Sequence, residues 1–365
     1  MYTIGWDGGS TVFPNNSTNW FFYIFQERRC VEILNKSRRL FVKRMGDIEK
    51  KSKILIFGGT GYYGTYQVKA CVAAAHPTYV YARPVKPPHD PSKLDLLKEF
   101  KSLGVTIFEG ELDEHEKLVE AIRQVDIVIV TLGLPLIMTQ LKIITAMQEA
   151  GNVKRFIPSE FGNECDRISP LPPYQAACCG PKKIIRRAAE KSGIPYTFVI
   201  ANTYGAYFVN YLLRPYDKES NKVTIYGTGE AQFSLNYEKD IAEYTVKVAT
   251  DPQTENGLII YRLPKCIISQ LDLISMWEKK TGHAMEKTYV SEEKLINLSE
   301  TLPFPESAPM AILYSLFVKG EEMAYDLKEE DLDVVELYPE YKYTTVEELL
   351  DIFLVDPPKP FQAAF

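Results

Sequence analysis

The chain has 365 residues, of which 45% are hydrophobic and 25% charged, and its formal net charge is −6. This composition is typical of a folded globular protein, long enough for two domains or one large one. The negative net charge argues against a nucleic-acid-binding surface, and no apolar stretch reaches the roughly 18 residues that a membrane-spanning helix needs. The six cysteines and four histidines show no zinc-type spacing. We therefore expect no metal, no disulfide network and a reducing, cytoplasmic setting.

Residues 1–44 differ in charge from the rest of the chain. They carry seven basic and three acidic residues, a charge of +4, which leaves −10 for residues 45–365. Three interpretations stay open: a weak organelle-targeting segment, a flexible extension, or upstream sequence joined to a start at Met45. We expect this segment to lie outside the folded domain, and we assign no function to it.

From Lys53 onward, short apolar strands alternate with helices. The predicted strands are Ile54–Phe57, Thr78–Tyr81, Val105–Phe108, Ile127–Val130, Arg155–Ile157 and Thr197–Ile200. The predicted helices between them are Tyr62–Ala75, Leu94–Leu103, Glu114–Arg123, Ile137–Ala150 and Lys182–Lys191. Uniformly apolar strands separated by helices predict an α/β fold with a doubly wound parallel sheet, the nucleotide-binding Rossmann architecture. We place this domain at residues 45–200.

After residue 200 the alternation becomes irregular. The predicted elements are strands Val223–Tyr226 and Leu258–Tyr261 and helices Asp240–Ala249, Leu271–Lys279, Glu292–Leu298, Ala311–Lys319 and Val346–Phe353. We expect a smaller, mixed C-terminal lobe over residues 201–365, which covers the carboxyl ends of the strands and binds substrate. Residues 237–263 are expected to return to the first domain.

A glycine-rich turn joins the first strand to the first helix. Gly58, Gly61 and Gly64 fit a GxxGxxG pattern. The first glycine permits a tight turn, the second lets a pyrophosphate approach the backbone, and the third lets the helix pack closely on the strand. Amides at the helix N-terminus then face the anion. The residues predicted to bind a dinucleotide here are Gly58, Thr60, Gly61, Tyr62, Tyr63 and Gly64.

The end of the second strand indicates which nicotinamide cofactor is used. An acidic residue there would bind the ribose 2′-hydroxyl of NAD, whereas a basic residue accommodates the 2′-phosphate of NADP. The sequence has Arg83 at this point, with Lys86 and Lys93 nearby and no acid before Asp90. We therefore predict NADPH, bound by Arg83 and Lys93; the alternative is a solvated basic loop.

The candidate catalytic group is a lysine, because the region lacks the Tyr-x-x-x-Lys of ordinary short-chain dehydrogenases. Pro181 suits the first position of a helix and places Lys182 and Lys183 in its first turn. If Ile184, Ile185, Ala188 and Ala189 centre the buried face, Lys182 lies at its edge and Lys183 faces water. Partial burial at a helix N-terminus would lower the pKa of Lys182 toward that of a usable base. The alternative is a solvated charged face.

Seven segments together resemble the isoflavone-reductase-like NADPH reductases, which are NmrA-type, atypical short-chain dehydrogenases. The similar segments are Gly58–Gly64, His76–Tyr79, Gly110–Lys117, Arg155–Gly162, Ile194–Thr197, Tyr226–Ala231 and Asp356–Pro360. The resemblance covers about residues 51–365 and is strongest to plant eugenol and isoeugenol synthases. It implies that Lys182 is the general acid/base and also borders the cofactor. Further cofactor-binding residues that we expect are Thr131, Leu132, Ser159, Phe161 and Asn202.

The resemblance implies NADPH-dependent reduction of a phenylpropanoid ester such as coniferyl acetate. Lys182 would take the phenolic proton, acetate would leave to give a quinone methide, and reduction would yield eugenol or isoeugenol. Two rivals stay open: reduction of a phenylcoumaran benzylic ether or an isoflavone, and an NADP-sensing regulator without turnover. The expected partner is a small phenylpropanoid molecule, with no nucleic acid and no membrane, and the protein is expected to be a monomer or homodimer.

Overall fold

The computed structural model describes residues 51–85, 91–217 and 221–358. The N-terminal segment 1–44 and Lys86 lie outside the described residues, so the expectations made for them are not addressed below. Among the described helices, none combines the length and the apolar character that crossing a membrane requires.

Strands and helices alternate between residues 54 and 200, as the sequence predicted. The elements are β1 Ile54–Phe57, α1 Tyr62–Ala73, β2 Thr78–Ala82, α2 Pro91–Ser102, β3 Thr106–Glu109, α3 His115–Ile122, β4 Ile127–Val130, α4 Gln140–Ala150, β5 Arg155–Ile157, α5 Gly180–Lys191 and β6 Thr197–Ile200. Helical turns at Leu134–Thr139 and Pro172–Cys179 precede α4 and α5. Four of the six strands, β1, β4, β5 and β6, have the predicted bounds.

The C-terminal part is mixed, as expected. Its elements are β7 Thr203–Tyr204, α6 Gly205–Leu213, β8 Lys222–Tyr226, β9 Gln232–Asn236, α7 Glu238–Thr250, β10 Gly257–Ile260, β11 Ile267–Ser269, α8 Gln270–Thr281, β12 Glu286–Val290, α9 Glu292–Thr301, α10 Ser307–Phe317, β13 Leu332–Asp333 and α11 Val346–Val355. The sequence missed α6, a short helical turn at Val334–Leu337 and five strands, namely β7, β9, β11, β12 and β13. Three of these strands have only two or three residues, which is too short for an alternating hydrophobic pattern to be recognised.

The central sheet is parallel. Its first five strands pair in the order β3-β2-β1-β4-β5, and a bridge between Phe156 and Tyr196 joins β5 to the start of β6. Next to β6 lies β10, followed by β13, again in parallel register. Helix α7 packs against α1, where Gln67 Nε2 donates to the Ala242 carbonyl at 3.4 Å. In the segment from Glu238 to Ile260, strand β10 therefore extends the parallel sheet, and helix α7 packs against that sheet.

Strands β1, β4 and β6 of the sheet are buried on both faces, which explains why they are almost entirely apolar, whereas the edge strand β3 is partly exposed. In β1, Ile54 and Ile56 point into one hydrophobic cluster, and Leu55 and Phe57 point into another. Side chains alternate along a strand, so a strand covered on both faces must be apolar at every position. The doubly wound α/β fold is therefore confirmed. A third cluster, around Trp277, forms the core of the C-terminal lobe.

Candidate active site

The predicted site residues outside α2 and α5 lie at the carboxyl edge of the parallel sheet. Gly58 follows β1, Arg83 follows β2, Thr131 and Leu132 follow β4, Ser159 and Phe161 follow β5, and Asn202 follows β6. The strand order reverses between β1 and β4, and doubly wound proteins bind ligands at such a switch point. The loops after these two strands touch, because a Cβ on Gly58 would lie 2.7 Å from the Thr131 carbonyl oxygen.

The glycine-rich turn has the geometry that a pyrophosphate requires. Gly58 has φ +80°, in the left-handed region, and its carbonyl accepts the Gly61 amide at 2.9 Å. A Cβ on Gly64 would lie 2.1 Å from the Gly58 oxygen, so only glycine permits this packing of α1 on the turn. Gly61 is exposed, and no side chain caps the N-terminus of α1. The backbone at this helix end therefore fits the cofactor's phosphates.

The side chains of Tyr62 and Tyr63 point into the protein. The Tyr62 hydroxyl donates to Glu238 Oε1 at 2.7 Å, and burial raises its pKa far above the ordinary tyrosine value. The Tyr63 hydroxyl donates to Gln67 at 3.1 Å, and its ring stacks on Tyr204 with centroids 5.3 Å apart. Any contact of these tyrosines with a phosphate would come from their backbone amides.

Two basic residues mark the expected adenosine end of the site. Arg83 is exposed directly after β2, and Lys93 Nζ donates to the Arg83 carbonyl at 3.4 Å. This contact brings the α2 lysine beside the end of β2. A basic residue at this position suits the 2′-phosphate of NADPH, and the assignment of these two residues to it stays a prediction.

A polar network holds together the ends of β4 and β5. Thr131 donates to the Phe57 carbonyl through its amide at 2.8 Å and its hydroxyl at 3.0 Å. The Ser159 hydroxyl donates to the Leu132 carbonyl, and its amide donates to Gln140 Oε1, both at 2.8 Å. The sequence analysis missed Gln140, a fully buried amide at the start of α4. These residues position the loops on either side of the switch point.

Phe161 and Asn202 have positive φ angles, +21° and +57°, which are uncommon for residues other than glycine. The Asn202 amide donates to the Gly162 carbonyl at 3.2 Å, and its Nδ2 donates to the Tyr261 carbonyl at 2.5 Å. Its buried Oδ1 has no hydrogen-bond partner among the described residues. An unpaired buried acceptor at this edge fits a donor from a bound cofactor.

Lys182 lies in the first turn of α5 and is only 7% exposed. Its Nζ donates to the carbonyl oxygen of Glu160, on the loop after β5. A Cβ on Gly162 would lie 3.2 Å from Nζ, so the glycine leaves the room that the amine occupies. The next residue on this loop, Phe161, packs against Tyr63 of the glycine-rich turn with ring centroids 4.7 Å apart. One short loop thus contacts both the lysine and the dinucleotide turn.

The predicted buried face of α5 was wrong in part. Ile184 is 50% exposed, whereas Lys182, Ile185, Arg186 and Ala189 are buried. The guanidinium of Arg186 forms ion pairs inside the protein, so a charged residue takes a core position that hydrophobicity does not indicate. Lys182 therefore lies within the buried face, not at its edge, and Lys183 is half-buried rather than fully solvated.

A disulfide bond joins Cys165 to Cys179, although the sequence led us to expect no disulfide network. It links the segment after β5 to the turn before α5. The Cys178 sulfur lies within 4.8 Å of both bonded sulfurs, and burial raises the pKa of the Cys178 thiol. The bonded cysteines are 14 positions apart in the sequence, a spacing that does not by itself indicate a disulfide.

The parallel sheet, the glycine-rich turn at its switch point and the buried lysine define a nicotinamide-dependent oxidoreductase. Comparison with known proteins agrees with this class. The model of the NmrA-like family matches residues 50–350, and the chain belongs to this family.

Similar proteins include several plant reductases. Isoeugenol synthase 1 of Petunia hybrida is 55% identical over 316 residues, which span 86% of this chain and 97% of that protein. Phenylcoumaran benzylic ether reductase Betv6 of Betula pendula is 44% identical over 307 residues, 83% of this chain and 99% of that protein. The structure of a binary complex of leucoanthocyanidin reductase and NADPH from Vitis vinifera superimposes with a TM-score of 0.75, at 31% identity, over 83% of this chain and 100% of that one. The chain is an NADPH-dependent oxidoreductase.

Proposed function

We propose that this protein reduces coniferyl acetate, or a closely related phenylpropanoid ester, to isoeugenol in the cytoplasm. The observation that carries the proposal is the buried Lys182, whose amine is held by the Glu160 carbonyl on the loop that also packs against the glycine-rich turn. A lysine held out of water beside a dinucleotide site is suited to moving a proton to or from a bound phenol. The identity with isoeugenol synthase 1 supports the choice of an ester substrate.

In this reaction the main chemical task of the protein is removal of a proton. Neutral Lys182 accepts the phenolic proton, and the electrons of the phenolate expel acetate from the side chain, which leaves a quinone methide. The chemistry that NADPH supplies when bound is hydride transfer to this side chain. Addition at the terminal carbon gives the propenyl group of isoeugenol, whereas addition at the benzylic carbon would give the allyl group of eugenol. A dry site protects the quinone methide from water.

The sheet edge offers a contact for each part of the cofactor. We assign the pyrophosphate to the backbone of Gly58–Gly64 and the 2′-phosphate to Arg83 and Lys93. Residues assigned to the nicotinamide half are Thr131, Leu132, Ser159, Phe161, Lys182 and Asn202. These assignments rest on the shared position of the residues at the switch point and on the unpaired Oδ1 of Asn202.

A substrate panel tests the proposal. The full-length protein is incubated with NADPH and, separately, with coniferyl acetate, coumaryl acetate, a phenylcoumaran or an isoflavone, and products are identified by mass spectrometry. We expect isoeugenol from coniferyl acetate. Reduction of the phenylcoumaran alone would identify a benzylic ether reductase, and NADPH binding without any product would favour a regulator.

Substitution of Lys182 separates chemistry from cofactor binding. We expect Lys182→Ala to bind NADPH nearly as the wild type does but to lose about 10²–10⁴-fold in turnover, the usual contribution of a positioned acid/base. The matched control is Lys183→Ala, one residue along the helix, which should retain most activity. A substrate whose phenol is methylated cannot form the phenolate and should not react. Full rate with either the Lys182 variant or the methylated substrate would rule out the mechanism.

A further inference from the structure

A buried cluster of opposite charges lies one helical turn beyond Lys182. Arg186 donates through Nη1 to Glu164 at 2.6 Å and through Nη2 to Glu160 at 2.9 Å. The three side chains are between 1% and 3% exposed. Buried carboxylates are costly unless they are paired, so Arg186 offsets the cost of burying two of them. We call Arg186, Glu160 and Glu164 the arginine–carboxylate cluster.

Glu160 connects this cluster to the catalytic lysine. Its carboxylate binds Arg186, while its carbonyl oxygen accepts the hydrogen bond from Lys182 Nζ. Lys182 and Arg186 are four residues apart on α5 and therefore lie on the same helix face. Lys182 therefore binds the backbone carbonyl of Glu160, while Arg186 on the same helix face binds its side chain.

The same loop reaches the rest of the site. Phe161, next to Glu160, has φ +21° and packs against Tyr63, and the Gly162 carbonyl accepts the Asn202 amide. This strained backbone conformation persists only where surrounding contacts impose it. Loss of the contact between Arg186 and the Glu160 side chain would therefore loosen the loop whose backbone carbonyl accepts the hydrogen bond from Lys182.

We propose that Arg186 is a positioning residue for Lys182. It holds the Glu160 carbonyl against the amine, and it neutralises two buried carboxylates that would otherwise keep the amine protonated. The inference rests on the proposed role of Lys182 as the base. It assigns to Arg186 an effect on the protonation of Lys182 in addition to its effect on packing.

The electrostatic part of the inference follows from the charges near Lys182. They are Glu160 and Glu164 on the loop, Arg186 on the same helix, and the Cys178 thiol on the preceding turn, whose pKa the positive charge of Lys182 lowers against the larger effect of burial. A third carboxylate, Asp166, lies 3.2 Å from Arg186 and keeps a second partner in the exposed Arg187. Loss of the guanidinium would leave two carboxylates unpaired in a low-dielectric site. Unpaired negative charge favours the ammonium form, so the lysine would become a usable base only at higher pH.

The test is the pH dependence of kcat for reduction of coniferyl acetate. We expect Arg186→Met to bind NADPH as the wild type does, to lose about 10²-fold in kcat near neutral pH, and to shift the midpoint of the profile upward by about one pH unit. Arg186→Lys should recover part of the rate because it restores the charge. Lys191→Met is the matched control; it removes an exposed cation from the last turn of the same helix and should leave the profile unchanged. A wild-type profile for Arg186→Met would overturn the inference.

A second set of variants covers the case in which Arg186→Met does not fold. Glu164→Gln removes one carboxylate while keeping the guanidinium, so the midpoint should move to lower pH. No movement would contradict the electrostatic role. If the wild type reduces no substrate in the panel, the proposed function fails, and the inference is tested on the protonation of Lys182 itself. Acetylation of Lys182 as a function of pH, followed by mass spectrometry, should show the same shift, and an unchanged labelling profile would overturn it.

Discussion

Individual buried polar groups in this protein connect elements that are far apart in the chain. Glu238 is fully buried and accepts the amides of Ala206 and Tyr207 at 2.8 and 2.9 Å, as well as the hydroxyl of Tyr62. One carboxylate thus caps the start of α6 and holds the first residue of α1. Three donors around one acid offset the cost of its burial, and they join the glycine-rich turn to the C-terminal lobe.

Arg83 is the residue on which cofactor choice should depend. A charge-assisted contact with the 2′-phosphate contributes roughly 1.5–3 kcal/mol, so Arg83→Ala should weaken NADPH binding by about 10–100-fold and leave NADH binding nearly unchanged. Fluorescence titration with both cofactors measures the difference. Arg123→Ala, another exposed arginine, at the end of α3, provides the control. Equal affinity of the wild type for NADH and NADPH would contradict the assignment.

At the level of elements, α1 and the turn before it form one unit. The helix begins at Tyr62 without a side-chain cap, and its third residue, Gly64, packs against the carbonyl of Gly58. Close packing of this kind needs hydrogen in place of a side chain. The same contact that leaves the turn open to phosphate also fixes the direction of the helix.

Gly64→Ala should disrupt this unit. The new Cβ would lie 2.1 Å from backbone, which cannot move as a flexible side chain can, so we expect a loss of about 1–3 kcal/mol or more in the free energy of unfolding, with weaker NADPH binding. Urea denaturation and NADPH titration measure the two effects. Gly133→Ala adds the same atom where no protein atom lies within 4 Å, so its free energy of unfolding should be nearly unchanged. Equal stability of the two variants would show that the turn relaxes.

At the scale of the whole molecule, the buried acid Glu322 joins the small sheet of β7, β9 and β11 to the segment that follows α10. Glu322 is fully buried; it accepts the Thr203 hydroxyl from β7 at 2.8 Å and the Ser234 amide from β9 at 2.9 Å. The Arg262 guanidinium donates to its backbone carbonyl at 2.6 Å. Burial raises the pKa of this carboxyl to about 7, so its protonation is coupled to folding.

Stability should therefore depend on pH through Glu322. An unfolded glutamate has a pKa of about 4.3, so between about pH 4.3 and 7 the folded state keeps a proton that the unfolded chain releases. The contribution of this group is fully present below pH 4.3 and is lost as the pH rises to about 7. Glu322→Gln stays neutral, so its stability relative to the wild type should increase from pH 5 to pH 8 in urea denaturation. Exposed Glu329→Gln should show no such trend; a parallel response of the two variants would contradict the coupling.

Local patterns were sufficient for much of the fold, and they supplied the site residues that stay predictions. The bounds of β1, β4 and β6 were predicted because short apolar runs between turns must form strands that are buried on both faces. The glycine spacing from Gly58 to Gly64 and the basic residue after β2 can each be recognised from a few consecutive residues. The sequence also selected Lys182, but its argument from a helix N-terminus was wrong, because a helical turn over Pro172–Cys179 runs directly into α5.

The tertiary structure alone decided which distant groups meet. Arg186 is buried because Glu160 and Glu164, more than twenty residues earlier, reach it, and this pairing exposes Ile184 instead. The bond between Cys165 and Cys179 likewise depends on two loops that approach only in the folded chain. Hydrophobic periodicity identifies apolar faces. A buried ion pair instead depends on opposite charges that are far apart in the sequence, and no local pattern shows that they meet. The sequence by itself determined strands β1 to β6, the glycine-rich turn and the choice of Lys182, whereas folding determined the charges that surround the lysine.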